Sequence, residues 1–234
     1  MIQTGFVAPM LFEARALAGK PIDAGYPVRI SNSSFMIMSG IGAHRATEAV
    51  RILIAMRVTS LISWGSAAGL HPDLRPGSLV IPHTVLSRDG SAFQCSRNLY
   101  EWFCGTVGEG LLHFQGTLAE TDQVVCGSDD KEVLHKNTGA DSSDMESAAI
   151  AHLALEADIP FLAIRVILDS RQTTIPRCAL TFTDEYGRLR LAHCIAGLFS
   201  KPSEIPGLVE LALSYRKARA TLDLVGRQLK RWGF

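Results

Sequence analysis

Three carboxylates stand close together in GADSSDMESAAIA, residues 139–151, directly before a segment of small apolar residues. Asp141 is typical of a solvated loop, and Asp144 of a helix cap, because Asp accepts the free N–H groups of a first helical turn. Glu146 has two interpretations. It stabilises the positive end of a helix dipole, or it accepts hydrogen bonds from two adjacent hydroxyls of a ribose.

A fourth carboxylate, Asp169, ends the apolar run AIRVILDS. A carboxyl at the end of a buried strand is poorly solvated, which raises its pKa and lets it hold a proton near neutral pH. Asp169 is therefore a candidate general acid. The alternative is a cap of the turn that follows the strand.

Two stretches with glycine offer places for a polar ligand. In SGIGAH, Gly40 and Gly42 precede a helix whose free N–H groups attract an anion, although close packing of helix and strand explains the same glycines. A dinucleotide fingerprint is not indicated, because Arg45 stands where its third glycine belongs. In SWGSAAGL, Ser66 offers a hydroxyl to a sugar or phosphate oxygen, and its glycine spacing differs from that of a serine hydrolase.

Strands and helices must bring these residues together. Apolar runs at 35–40, 58–65, 77–86 and 161–169 predict buried strands, with helices between them and a long closing helix after Pro206. This alternation predicts an α/β fold with a mixed sheet covered by helices, in one domain over residues 1–234. In such sheets ligands bind at the carboxyl ends of strands, where the residues above lie.

The composition excludes several classes of partner and cofactor. Lys plus Arg equals Asp plus Glu at 23 each, so no global charge attracts nucleic acid. The five cysteines show no metal or disulfide spacing, and we expect neither a metal nor an organic cofactor. Without a signal sequence or a long apolar run, the chain is expected to be cytoplasmic.

In this order, the motifs resemble the superfamily of purine nucleoside phosphorylases and methylthioadenosine/S-adenosylhomocysteine nucleosidases. The resemblance rests on PMLFEA, SGIG, GSAAGL, DMESAAIA and IRVILD, and so covers most of the chain. It implies an enzyme with a three-layer α/β/α sandwich around a mixed sheet, acting as a homo-oligomer, with a dimer favoured. It also implies that Glu146 binds the ribose hydroxyls, Met145 packs on the sugar and Asp169 protonates the purine at N7.

The resemblance leaves the nucleophile open. Phosphorylases often place an arginine where this chain has Ser63, whereas nucleosidases activate water with an early glutamate, for which Glu13 is the candidate. Arg15 and Ser66 are the candidates for binding inorganic phosphate as a co-substrate. The position of an aromatic residue that stacks on adenine falls on Val124, with Val125 beside it.

A narrower likeness concerns the tail after Asp169, which resembles hopanoid-associated phosphorylases. It implies release of adenine from adenosylhopane in hopanoid biosynthesis, with aromatic residues of 93–103 lining the opening for the lipid, or else filling the core and a subunit interface. The basic closing helix then contacts a membrane surface, unless its apolar stripe packs on the sheet. The alternatives are a methylthioadenosine/S-adenosylhomocysteine nucleosidase and a non-catalytic nucleoside or lipid binding protein.

Overall fold

The computed structural model describes residues 3–20, 22–107, 112–176, 179, 184–188 and 204–231. Within them, six helices are α1 (Leu11–Ala18), α2 (Ala43–Ala55), α3 (Arg97–Val107), α4 (Ser128–Thr138), α5 (Ser147–Glu156) and α6 (Ile205–Arg231). The strands are β1 (Thr4–Ala8), β2 (Val28–Arg29), β3 (Ser34–Met38), β4 (Ser60–Gly69), β5 (Leu79–Val80), β6 (Thr84–Leu86), β7 (Ala92–Gln94), β8 (His113–Phe114), β9 (Thr117–Glu120), β10 (Ser142–Asp144) and β11 (Phe161–Asp169).

In the described chain these strands form one mixed sheet. Strand β4 is its centre: it pairs in parallel with β1 on one side and with β11 on the other, and its last residues pair antiparallel with β10. One path runs β2-β3-β1-β4-β10-β9-β6-β7, and β11, β5 and β8 continue from β4. Because β1, β3, β4 and β11 are parallel, their carboxyl ends meet at one edge of the sheet.

Helices cover both faces of the sheet. Along β1, Phe6 and Val7 point to opposite faces, as strand alternation requires, and each belongs to a separate buried apolar cluster. The first cluster packs against α1, α3 and α6, and the second against α2 and α5. The expected three-layer α/β/α sandwich around a mixed sheet is therefore confirmed.

Three predicted elements differ from the structure. The run 77–86 is not one strand: β5 and β6 flank Pro82, which has no N–H to donate to a ladder. Strand β4 continues through GSAAG to Gly69, so Ser66 lies within a strand and not in a loop after it. On α6 the apolar stripe packs on the core only from Ser214 onward, and Ala212 is exposed.

Candidate active site

Glu13 is the most deeply enclosed carboxylate of the sheet edge. It lies in the first turn of α1, is 0% exposed, and its Oε2 accepts the backbone N–H of Met10 at 2.8 Å. Its Oε1 accepts the N–H of Ser66 at 2.7 Å and the hydroxyl of Ser66 at 2.6 Å. Burial raises the pKa of Glu13, while the hydrogen bonds from Ser66 and Met10 oppose that rise.

Glu146 faces the loop after β3. It is 4% exposed, and its Oε1 accepts the backbone N–H of Gly42 at 2.7 Å. Burial and the neighbouring charge of Asp144 raise the pKa of Glu146 to about 8. The exposed, dipole-stabilising glutamate of the alternative interpretation is therefore not what the structure shows.

A buried ion pair lies behind these two carboxylates. Arg165, 0% exposed on β11, donates from Nε and Nη2 to Asp144 Oδ2 at 2.9 and 2.6 Å. Arg165 also donates to the hydroxyls of Ser63 and Ser147. Burial raises the pKa of both Glu13 and Glu146, and the positive charge of Arg165 partly opposes that rise. Arg165, Asp144, Glu13 and Glu146 therefore form one electrostatic unit.

The predicted roles of the other two carboxylates near 139–151 need correction. Asp144 does accept the N–H of Ser147 at 3.2 Å, as a cap would, but its main partner is Arg165. Asp141 is not a solvated loop residue: it is half-buried and accepts the N–H of Thr117 at 2.9 Å. The sequence did carry a signal for Arg165, since a lone cation within the apolar strand FLAIRVILD requires a buried partner.

Asp169 is buried, as its place at the end of an apolar strand predicts, with 3% exposure. Its Oδ2 pairs with the ammonium of Lys131, which is 0% exposed on α4. Burial raises the pKa of Asp169, and the charge of Lys131 opposes that rise. The sequence gives no signal for this lysine, because SDDKEV has the pattern of a solvated helix face.

The remaining predicted site residues differ in how deeply they are buried. Met145 is half-buried beside Glu146, and Val125 is also half-buried, while Val124 is 42% exposed just before α4. Arg15 is exposed, two residues after Glu13. Because two residues turn a helix by roughly 200°, Arg15 points away from Glu13 and Ser66, and its predicted phosphate contact finds no support in this arrangement.

The aromatic segment divides between the core and the surface. Phe103 is fully buried in the core of the sandwich, and Trp102 is 38% exposed on α3. Phe103 therefore cannot line an opening. Residues 184–188, which belong to the tail after Asp169, lie over the site loops, where the carbonyls of Tyr186 and Glu185 accept the N–H groups of Leu11 and Ile41. Part of the tail on which the hopanoid likeness rests, namely 177–178, 180–183 and 189–203, lies outside the described residues.

The polar groups are carboxylates held by backbone and side-chain donors. In the parts of the chain that the structure describes, no three His, Cys, Asp or Glu side chains are arranged to hold a metal ion. No helix among the described residues has both the length and the apolar character needed to cross a bilayer.

Curated proteins share part of this sequence. A nucleosidase of Buchnera aphidicola, named for 5'-methylthioadenosine/S-adenosylhomocysteine, is 27% identical over 197 residues, covering 71% of this chain and 77% of its own. One of the same name from Tolumonas auensis is 30% identical over 159 residues, covering 59% and 69%.

Solved structures share the fold. The nucleosidase of the same name from Neisseria meningitidis, in complex with methylthio-immucillin-A, has a TM-score of 0.72 at 20% identity, over 99% of this chain and 100% of that one. Futalosine hydrolase of Helicobacter pylori has a TM-score of 0.70 at 16% identity, over 98% and 96%. The sequence profile of the phosphorylase superfamily matches residues 28–186, more than half of the chain. The protein therefore belongs to the phosphorylase superfamily and is an enzyme of the nucleoside phosphorylase and nucleosidase class.

Proposed function

We propose that the chain hydrolyses the N-glycosidic bond of a 5'-substituted adenine nucleoside and releases adenine. The observation that carries this proposal is the position of Glu13, whose buried carboxylate accepts both donors of Ser66. A carboxylate there is suited to take a proton from water, and it makes the same place unfavourable for a phosphate anion.

The charges around Ser66 argue further against phosphate as the nucleophile. The position of the phosphorylase arginine is Ser63, whose hydroxyl is bonded to Arg165. Arg165 is itself neutralised by Asp144, and Arg15 is exposed. Neither Arg165 nor Arg15 is therefore free and suitably placed to compensate a phosphate dianion beside Glu13.

The proposed reaction assigns one task to each carboxylate. Glu146 holds the ribose hydroxyls, with Met145 packed on the sugar, and Val124 and Val125 lie under the base. Asp169 protonates N7 as the bond to the sugar breaks, which allows neutral adenine to leave. Glu13 takes the proton of the water that attacks the oxocarbenium-like sugar, so both acid and base act where charge changes.

The 5' substituent is the less constrained part of the proposal. Methylthioadenosine and S-adenosylhomocysteine are the first candidate substrates, because the relatives described above are named for them. Adenosylhopane stays a second candidate. One observation favours it: Ile205, Val209 and Leu213 follow each other at four-residue spacing on α6 and are 40%, 56% and 52% exposed. Such a stripe suits a lipid or a membrane surface.

The test measures adenine released from methylthioadenosine and from adenosylhopane, each with and without inorganic phosphate, with the sugar product identified by mass. Free ribosyl product from methylthioadenosine at a rate independent of phosphate supports the proposal. Formation of the correspondingly 5-substituted ribose 1-phosphate, only with phosphate present, overturns hydrolysis. Binding of both nucleosides without any adenine release would contradict the proposal. Release from adenosylhopane alone would move the substrate assignment to the hopanoid.

We also propose a homodimer, as the resemblance implies, and a cytoplasmic location, as the sequence predicts. Light scattering checks the dimer against the chain mass of 25.4 kDa. Sedimentation with anionic vesicles checks whether α6 contacts a membrane. A monomeric mass with full activity would contradict the dimer without affecting the proposed chemistry.

A further inference from the structure

Helix α4 is anchored by a lysine. Lys131 is the buried residue of this otherwise polar helix, while the apolar Val133 is 55% exposed. Transfer of an ammonium group out of water costs several kcal/mol of free energy unless it is paired and hydrogen-bonded. A charged side chain in this place therefore needs a compensating role.

The surroundings of Lys131 match its three N–H donors. The ammonium donates to Asp169 Oδ2, to the carbonyl of Ser170 at 3.0 Å and to the carbonyl of Thr173 at 2.7 Å. The same three oxygens also satisfy a neutral amine, which donates two hydrogen bonds to the carbonyls and accepts one from a protonated Asp169. The proton can therefore lie on either residue without leaving a buried polar group unpaired.

Lys131 also connects the two segments proposed to enclose the base. It is the fourth residue of α4, and this helix follows the segment that contains Val124 and Val125. The carbonyl of Cys126 in that segment accepts the N–H of Ile175, at the far end of the loop that begins with Asp169. The lysine thus joins α4, the helix that follows the proposed floor of the base pocket, to the proposed acid.

We propose that Lys131 is the positioning residue of Asp169 and shares the proton that Asp169 gives to the departing adenine. The inference rests on the proposed function. As the bond between sugar and N9 breaks, its electron pair goes to the base. The Lys131 N–H bond breaks as a proton passes to the Asp169 carboxylate, and the carboxyl O–H bond breaks as a proton passes to N7. Neutral adenine, the Asp169 carboxylate and an uncharged Lys131 remain, and the amine regains its proton from solvent.

Within the described residues, the charged groups that neighbour Lys131 and Asp169 are exposed or bind other partners. On α4, Glu132 pairs with Arg171 at 3.1 Å, and its helix neighbours Asp129 and Asp130 are exposed. From α6, Glu210 accepts the hydroxyl of Thr173 at 3.0 Å. His135 bonds the carbonyl of Ala140. The direct charge partner of Asp169 is therefore Lys131.

The test compares Lys131→Met and Lys131→Arg by the pH dependence of kcat/KM for adenine release. Lys136→Met is the matched control, because Lys136 is on the same helix and exposed. In Lys131→Met the carboxyl of Asp169 alone must hold the proton, so the basic limb of the kcat/KM profile is expected to move to lower pH. The loss of kcat/KM relative to the wild type is expected to reach about 10- to 100-fold near pH 9 and to shrink as the pH falls. Lys131→Arg keeps the charge but cannot release a proton, and it is expected to lose at least as much.

Melting temperatures and binding of adenine verify that each variant is folded, and Lys131→Arg gives the answer if Lys131→Met does not fold. Wild-type turnover and an unshifted profile in Lys131→Arg would overturn the inference, as would an equal loss at every pH in Lys131→Met. These outcomes differ from failure of the proposed function, in which the wild-type chain releases no adenine or Asp169→Asn remains fully active.

Discussion

The hydroxyl and the backbone N–H of Ser66 both donate to one oxygen of Glu13, Oε1, at 2.6 and 2.7 Å. This contact joins the first turn of α1 to the centre of β4. It fits because residue 65 is glycine: a Cβ there would lie 3.0 Å from Oε1 of Glu13. The position of the proposed base thus depends on a residue without a side chain and on a serine that offers two donors.

Glu13→Gln is expected to lower kcat for hydrolysis by about 100- to 10,000-fold, because an amide cannot take a proton from water. Burial raises the pKa of Glu13, so the wild-type acid limb is expected above the usual range of a carboxyl. Steady-state kinetics between pH 4 and 9 measure both. The control is Glu48→Gln, an exposed residue of α2. Undiminished turnover of Glu13→Gln would remove Glu13 from the mechanism.

Gly65→Ala is expected to displace the Glu13 carboxylate, since the added methyl would also lie 3.1 Å from its Cδ and 3.2 Å from Oε2. A shift of this kind can lower turnover by about 100-fold while the fold is kept. The matched control is Gly105→Ala on the exposed face of α3, where the added methyl has no neighbour within 4 Å. Steady-state kinetics measure the turnover of the two variants, and circular dichroism verifies that both are folded. Equal turnover in both would contradict the steric argument.

The sequence predicted the sheet, the closing helix and the carboxylates because apolar periodicity and strand ends are local signals. Burial of Asp169 followed from its apolar neighbours, whereas the sequence left both interpretations of Glu146 open, and the structure shows this residue buried. The partner of Asp169 did not follow from the sequence, since Lys131 stands in a polar segment 38 residues earlier and meets Asp169 only in the folded chain. Likewise, Asp141 and Asp144 resembled loop and cap residues because Thr117 and Arg165, which bind them, come from other strands.

Arg165→Met is expected to lower the free energy of unfolding by about 3 to 5 kcal/mol, because it leaves Asp144 buried without its countercharge. Chemical denaturation measures this change. In the double variant Arg165→Met, Asp144→Asn, part of the lost free energy of unfolding is expected to be regained, since neither charge then remains. Arg97→Ala, which breaks the exposed pair with Glu101, is expected to leave stability nearly unchanged. A similarly small effect of Arg165→Met would show that the buried pair contributes little.

Asp169→Asn is expected to lower kcat for an adenine nucleoside by about 100- to 10,000-fold, because the amide cannot protonate the leaving base. A riboside of 4-nitrophenol provides the control, since nitrophenolate leaves without a proton. Turnover of that substrate is expected to be largely kept, and absorbance assays follow both reactions. Equal losses on the two substrates would indicate damage to the sugar site and would contradict an acid role for Asp169.

Glu146→Gln is expected to change how stability depends on pH. Burial and the charge of Asp144 raise the pKa of Glu146 from 4.5 to about 8, so the folded chain binds this proton more tightly than the unfolded chain does. The resulting stabilisation is fully present below pH 4.5 and is lost as the pH rises through about 8. The variant lacks this titration and keeps an acceptor for the N–H of Gly42. Its melting temperature relative to wild type is therefore expected to rise between pH 6 and 9, by an amount equivalent to roughly 1 kcal/mol or more. A difference that stays constant over this range would show that Glu146 does not titrate there.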